Sequence, residues 1–218
     1  MESPTQLYES FIASAYAAPI FELVQKLKGS RGTPNEVQAS VFEYGHSASA
    51  IALTVLFLES FLNISKYLTG SHERSVRTYF VNTFPNSVYR DDVQELFTVR
   101  DVIAHNHVWS GLIDPVAMTW KTLELMPGYG DKAFQSVIHA PQRVTKKLRL
   151  NVVPTRLCFD DVRVVLTTTA AVLLELREWH SLQPVAHHIG PGGFGYVDYH
   201  GKPCTFLEAV SLIDQAEQ

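Results

Sequence analysis

Between Asn35 and Leu68 apolar residues return at Ala48, Ile51, Ala52, Val55, Leu56, Phe61 and Leu62, and Gly70 follows the segment. Steps of three and four residues are the period of an α-helix, and a glycine just past the end is a common helix stop. A helix this long and this apolar needs other helices against it. The expected fold is therefore mainly α, an antiparallel helical bundle, with Gly45 as the point where the long helix could divide in two. Thr5 to Lys28 reads as a helix ended by the Gly29-Ser30-Arg31-Gly32-Thr33-Pro34 turn. Ser75 to Phe80 reads as a short helix before Pro85-Asn86-Ser87. A further helix begins at Asp91, carries Val93, Leu96, Phe97, Ile103, Ala104 and Val108 on an apolar stripe, and closes near Gly111. Helical period returns from Phe159 through Val164, Val165, Ala171, Leu174 and Leu176 to Trp179.

The period changes between Pro115 and Pro154. Met118 and Trp120 alternate with Lys121, and Val137-Ile138, Val144 and Leu148-Arg149-Leu150 read as strands between Pro127-Gly128-Tyr129-Gly130 and Ala140-Pro141 turns. The organisation expected is one domain over 1–218, with a small β-hairpin or β-meander insertion at 115–155. The tail, 187–218, is rich in Gly and Pro until a short final helix begins near Phe206. No internal repeat interrupts this plan.

A hydrophobic content of 46% over 218 residues suffices for one buried core. A net charge of −4 argues against a surface coated for nonspecific nucleic-acid binding, while leaving room for a local basic patch. Met1 to Gln6 has no basic region leading into an apolar core, so no secretory signal is read. The apolar run Ala48 to Leu58 carries Ser and Thr and is short for a bilayer. A soluble cytoplasmic protein without membrane contact is expected. Cys158 and Cys204 fit no metal-ligand spacing and are read as reduced thiols, and no cofactor is expected.

Chemistry concentrates at Arg100-Asp101-Val102-Ile103-Ala104-His105. Arg100 falls in the apolar stripe, where a guanidinium is rarely buried unless paired. Asp101 and His105 are four apart, so the carboxylate is placed to orient the imidazole. Arg100 and His105 lie about 140° apart around the axis, an angle at which they converge most easily where the helix edge faces a cleft or a second copy of the chain. These residue types suit RNA cleavage by its own 2′-hydroxyl. Imidazole moves a proton near neutral pH, guanidinium stabilises the charge gathering on the phosphorane, and no metal is required. The structural alternative is a buried ion pair fixing helix packing, with His105 a satisfied histidine.

Leu96-Phe97-Thr98-Val99-Arg100-Asp101-Val102-Ile103-Ala104-His105-Asn106 resembles the signature of the HEPN superfamily: an Arg, a polar residue, a few intervening residues, and a His near the end of a helix. The resemblance covers residues 5–111 and the later helix 159–180. It implies an all-α bundle, commonly a two-fold dimer in which both copies' Arg and His meet in one cleft. In many members it implies a metal-independent endoribonuclease of toxin–antitoxin or phage-defence systems. On that basis Arg100, Asp101 and His105 are the expected catalytic residues. RNA is the expected substrate, a second copy the expected partner, and an antitoxin protein a possible one. Many active members carry Asn after the Arg, where this chain has Asp101. The competing class is a noncatalytic dimerisation or nucleotide- or RNA-binding module with the same bundle.

Other motifs carry less. His105-Asn106-His107 places histidines at i and i+2, on different faces of a helix, and is not read as a metal site. Gly190-Pro191-Gly192-Gly193-Phe194-Gly195-Tyr196-Val197 resembles a kinase glycine-rich loop, yet too little chain follows for a kinase, so it is read as a flexible connector. A metal-binding four-helix site would need Glu-x-x-His on facing helices, and none is found. Arg143, Lys146, Lys147 and Arg149 form a basic cluster read as RNA-binding, with a charged strand edge as the alternative. Glu43, His46, Glu59 and Asn63 are read as surface or dimer-face polar residues.

Overall fold

The computed structural model describes residues 12–32, 35–105, 109–128, 130, 132–181 and 194–215. The architecture is mainly helical with small antiparallel hairpins. A 3₁₀ turn, Ala13–Tyr16, leads into α1 (Ala17–Lys28), followed by α2 (Val41–Leu68), α3 (Val76–Thr83) and α4 (Arg90–Ala104). A hairpin of β1 (Trp109–Asp114) and β2 (Thr119–Leu125) comes next, then α5 (Lys132–Val137) and the short pair β3 (Ile138–His139) and β4 (Val144–Thr145). The chain then enters α6 (Phe159–Ser181), the hairpin of β5 (Tyr196–Tyr199) and β6 (Lys202–Thr205), and α7 (Phe206–Gln215).

The axis of the bundle is α2. Ser40 caps it, extended at φ −61° and ψ 151°, with its Oγ accepting from the Glu43 N–H at 3.3 Å. Gly70, at φ +64°, lies just beyond the Thr69 cap, where a residue without Cβ turns the chain most easily. Between them α2 buries Ala50, Ile51, Val55, Leu58 and Leu62 against α1, α3, α4 and α6. The helix is not divided at Gly45. A mid-helix glycine costs about 1 kcal/mol, and burial of successive turns of α2 offsets it. At 28 residues, with its most apolar 18-residue window at mean hydropathy 1.6, α2 is long and apolar enough to cross a membrane, which the shorter stretch Ala48–Leu58 had not suggested. Of its most apolar window, 56% is buried inside this bundle.

Several boundaries differ from the sequence reading. The first helical turn begins at Ala13, and Thr5 to Phe11 lie outside the described residues. The α4 helix ends at Ala104, well short of Gly111, because the chain turns into β1 at Trp109. The β segment thus begins before Pro115. Lys132 to Val137 is helical, and Leu148-Arg149-Leu150 forms no strand; Leu150 and Val152 instead insert into the core as an irregular segment. The expected final helix is α7, and the largest difference lies in how the tail packs. From Phe194 onward it is an integral layer: Phe194, Val197, Tyr199, Phe206, Ala209 and Ile213 are buried, and β5 packs on α1. Gly195, at φ +117°, comes close to the main chain of Ser14, where a Cβ would clash. The described part of the glycine-rich motif is therefore a packed turn and not a connector; Gly190 to Gly193 lie outside the described residues.

One polar network joins three helices inside the core. The Ser65 Oγ of α2 lies 2.7 Å from the Tyr79 hydroxyl of α3 and 2.6 Å from Nε2 of His180 in α6. All three are buried, and burial holds the His180 pKa below its ordinary value of 6.5. Folded His180 stays neutral at a pH where the unfolded chain's imidazole binds a proton. Its contribution to stability is thus present above about pH 6.5 and is lost as pH falls below it, through the window down to the depressed folded value. Denaturant midpoints measured from pH 7.5 to 5 are expected to fall more steeply in the native chain than in His180→Gln. Parallel profiles would contradict this assignment.

Candidate active site

Asp91 and Asp92 lie in the first turn of α4, where carboxylates complement the helix dipole. Val93, Leu96, Phe97, Val99 and Val102 form its buried stripe. Arg100 sits at the edge of that stripe. Its side chain is 23% exposed, and its Nη2 donates to Glu59 Oε2 on α2 at 3.3 Å. Nη1 lies 3.4 Å from Asp101 Oδ1. The remaining nitrogen, Nε, is buried with no hydrogen-bond partner among the described residues.

Asp101 faces two guanidinium groups. Oδ2 accepts from Arg77 Nη2 of α3 at 3.1 Å while Oδ1 faces Arg100. Its carboxylate is thus engaged by arginines and not by His105; what Asp101 supplies to His105 is its carbonyl, which accepts the His105 N–H at 2.9 Å. Arg77 and Arg100 each hold their guanidinium carbon 5.5 Å from the centre of the buried Phe97 ring, a pair of cation–π contacts that fixes both heads beside one aromatic. Four charged side chains from α2, α3 and α4 therefore converge here.

His105 is where α4 stops. At φ −101° and ψ 5° it caps the helix, and its side chain is exposed. Asn106, His107 and Val108 lie outside the described residues. Sequence reasoning missed Arg77, which is 24 positions from Asp101 with no periodic relation to it. Glu59 was visible as a polar residue on an apolar helix, but nothing local indicated that it faces Arg100.

The basic cluster is not gathered around this site. Lys147 Nζ pairs with Asp92 Oδ1 at 2.9 Å and donates to the Val88 carbonyl at 2.7 Å. Buried Glu95 accepts the Lys147 and Leu148 N–H groups, each at 2.8 Å, which stitches this loop to the middle of α4. Lys146 Nζ reaches the Ser136 carbonyl, and Arg149 donates to Gln142. Arg143 and Arg149 both hold positive φ, the left-handed conformation, in this tight loop. Glu95 and Arg100 are about 140° apart around α4, so the loop covers a different face of the helix from Arg100. Lys147 is an anchor of the fold, and RNA contact by Arg143, Lys146 or Arg149 would take place on that other face of α4.

Other polar residues find structural duties. Glu43 is buried at the start of α2 and is not a surface group: its carboxylate accepts the Gly32 and Phe159 N–H groups, each at 3.3 Å. His46 Nδ1 lies 3.4 Å from Ser30 Oγ. Burial and the nearby Asp161 carboxylate push the Cys158 thiol up to about 12, so it stays protonated and unreactive at neutral pH. No family description matches the chain, and no curated protein or solved structure does.

Proposed function

We propose that the chain is a HEPN-like, metal-independent endoribonuclease that cleaves single-stranded RNA by attack of a 2′-hydroxyl on the adjacent phosphate. The observation that carries this reading is the contrast along α4. Arg100 is held partly exposed by Glu59 and Asp101, with Nε lacking a partner among the described residues, while His105 stands exposed at the end of the same helix. A buried polar atom without a partner calls for a reason, and a catalytic role is one such reason. In this mechanism His105 takes the 2′-hydroxyl proton as the oxygen bonds to phosphorus. Arg100 stabilises the phosphorane charge, and the bond to the 5′-oxygen breaks as that oxygen takes a proton from water. The products are a 2′,3′-cyclic phosphate and a 5′-hydroxyl. Asp101 and Glu59 hold the guanidinium in place, and Asp101 also tethers Arg77 as a second cation at the rim.

A symmetric homodimer with α4 facing α4 across the two-fold axis completes the reading. The angle of about 140° between Arg100 and His105 presents them poorly to one phosphate within a single chain, whereas an isologous interface sets each beside its mate. A role in a toxin–antitoxin or phage-defence system, with a cytoplasmic location and an antitoxin partner, belongs to the same proposal.

One observation favours a second reading, a noncatalytic dimerisation or RNA-binding module. Arg100 already faces two carboxylates, which compete with a phosphate for its donors. The test is incubation of purified protein with total RNA in excess chelator, beside His105→Ala prepared identically. Cleavage by the native chain alone is the expected result. Cleavage abolished by chelator and restored by magnesium overturns the metal-independent mechanism, and binding without cleavage supports the second reading.

A further inference from the structure

A cleft lies where the connection between α1 and α2 meets the start of α6. Its volume is about 350 Å³, within the range of small-molecule sites. Arg31, Asn35, Glu43, Asn151, Arg156 and Phe159 line it, together with exposed Asp160. Glu43 and Glu59 share α2, about 24 Å apart along its axis at about 1.5 Å per residue, so this cleft is distinct from the Arg100 site.

The buried acids near the cleft are already engaged. Glu43 accepts from the Gly32 and Phe159 N–H groups. Asp161 accepts from the Asn151 N–H and side-chain amide, each at 2.9 Å, and from the Cys158 N–H at 3.0 Å. Arg156, at the end of the 3₁₀ turn Pro154–Arg156, is half-buried, and its guanidinium has no ion pair or hydrogen bond among the described residues. A guanidinium withdrawn partly from water is stable where an oxyanion can meet its fork of donors. Arg31 adds a second cation, held with its guanidinium carbon 3.7 Å from the centre of the Phe159 ring.

The remaining groups narrow the ligand. Asn35 spends its carbonyl oxygen on the Val37 and Gln38 N–H groups, which leaves its amide nitrogen as a donor. Asn151 spends its amide nitrogen on Asp161, which leaves its carbonyl oxygen as an acceptor. A donor and an acceptor together suit the edge of a heterocyclic base. Asp160 and Glu43 both oppose a bare dianion, yet Asp160 accepts hydrogen bonds from a sugar diol. We infer that this cleft binds a ribonucleoside monophosphate, with its phosphate on Arg156 beside Arg31, its ribose hydroxyls on Asp160 and its base edge on Asn35 and Asn151. The inference stands independently of the ribonuclease reading.

Calorimetric titration of the full chain with the four ribonucleoside 5′-monophosphates, the matching nucleosides, 2′-deoxynucleotides and inorganic phosphate tests it. At least one ribonucleotide is expected to bind one per chain. Its nucleoside, its deoxy analogue and inorganic phosphate are each expected to bind at least about tenfold more weakly, the loss of roughly one good polar contact. Arg156→Ala is expected to weaken binding by at least about tenfold and Arg156→Lys by less, since lysine keeps the charge but loses the fork. Thermal melts of both variants check folding, and the lysine form serves if the alanine form is unstable. His105→Ala and Arg100→Ala are expected to bind as the native chain does. No binding of any nucleotide at millimolar concentration overturns the inference. So does inorganic phosphate binding as tightly as the nucleotide, or binding that survives Arg156→Ala and disappears in Arg100→Ala.

Discussion

Replacing His105 or Arg100 with alanine is expected to lower RNA cleavage by about 10² to 10⁴-fold, the range associated with losing a proton-transfer group or a charge-stabilising donor. The two variants should part company in stability. His105 is exposed and caps α4 through its main chain, so its alanine form should melt like the native protein. Arg100 and Glu59 are 23% and 28% exposed, so removing the guanidinium strands no deeply buried acid and is expected to cost about 1 kcal/mol, near the value of a partly solvated ion pair. Removing a guanidinium buried within the apolar stripe, where the sequence reading placed Arg100, would cost about 3–5 kcal/mol; solvent access to both partners brings it down. Arg100→Lys should recover folding and little activity, because a point charge replaces the fork. Cleavage assays paired with thermal melts check the split, and severe unfolding of both alanine variants would mark the pair as structural.

Phe206→Ala is expected to destabilise the whole domain by about 3–5 kcal/mol, the usual effect of emptying a buried aromatic site. Phe206 is fully buried at the first position of α7. Its ring centre lies 4.5 Å from that of Phe57 in α2 and 5.7 Å from that of Phe21 in α1, so three elements meet on it. A domain of this size shifts its melting temperature by about 2–4 °C per kcal/mol, which gives a drop on the order of 10 °C. Calorimetry on the variant checks this. A change within about 0.5 kcal/mol, the range of surface substitutions, would mean that α7 is a peripheral appendage.

The Phe206 case also explains what could be read before folding and what could not. Helices with long, regular stripes were legible, since Ala48 to Leu62 and Val164 to Leu176 repeat at a period that only a helix satisfies. The final helix from Phe206 was legible, but the segment before it was misread as a connector because Gly195, Gly201 and Pro203 interrupt its apolar residues; what commits them to the core is the surface offered by α1 and α2, a long-range property absent from any local window. Glu43 was taken for a surface group for the same reason, since its partners, the Gly32 and Phe159 N–H groups, come from elsewhere in the chain. At the candidate site the spacing of Arg100, Asp101 and His105 fixed their order along α4 but not their pairing. Asp101 turned to Arg77 because α3 packs beside α4 there. Arg77 had no signature of its own.

The most direct measurement of the central proposal uses one defined RNA oligonucleotide, incubated with the protein in excess chelator, and a copy of it carrying a single 2′-deoxy sugar at the cleaved position. The mechanism assigned to His105 and Arg100 requires that hydroxyl as its nucleophile. The expected result is cleavage of the all-ribose strand to a 2′,3′-cyclic phosphate and a 5′-hydroxyl end, with no cleavage at the deoxy position. Equal cleavage of both strands, or a product with a 5′-phosphate, would contradict it.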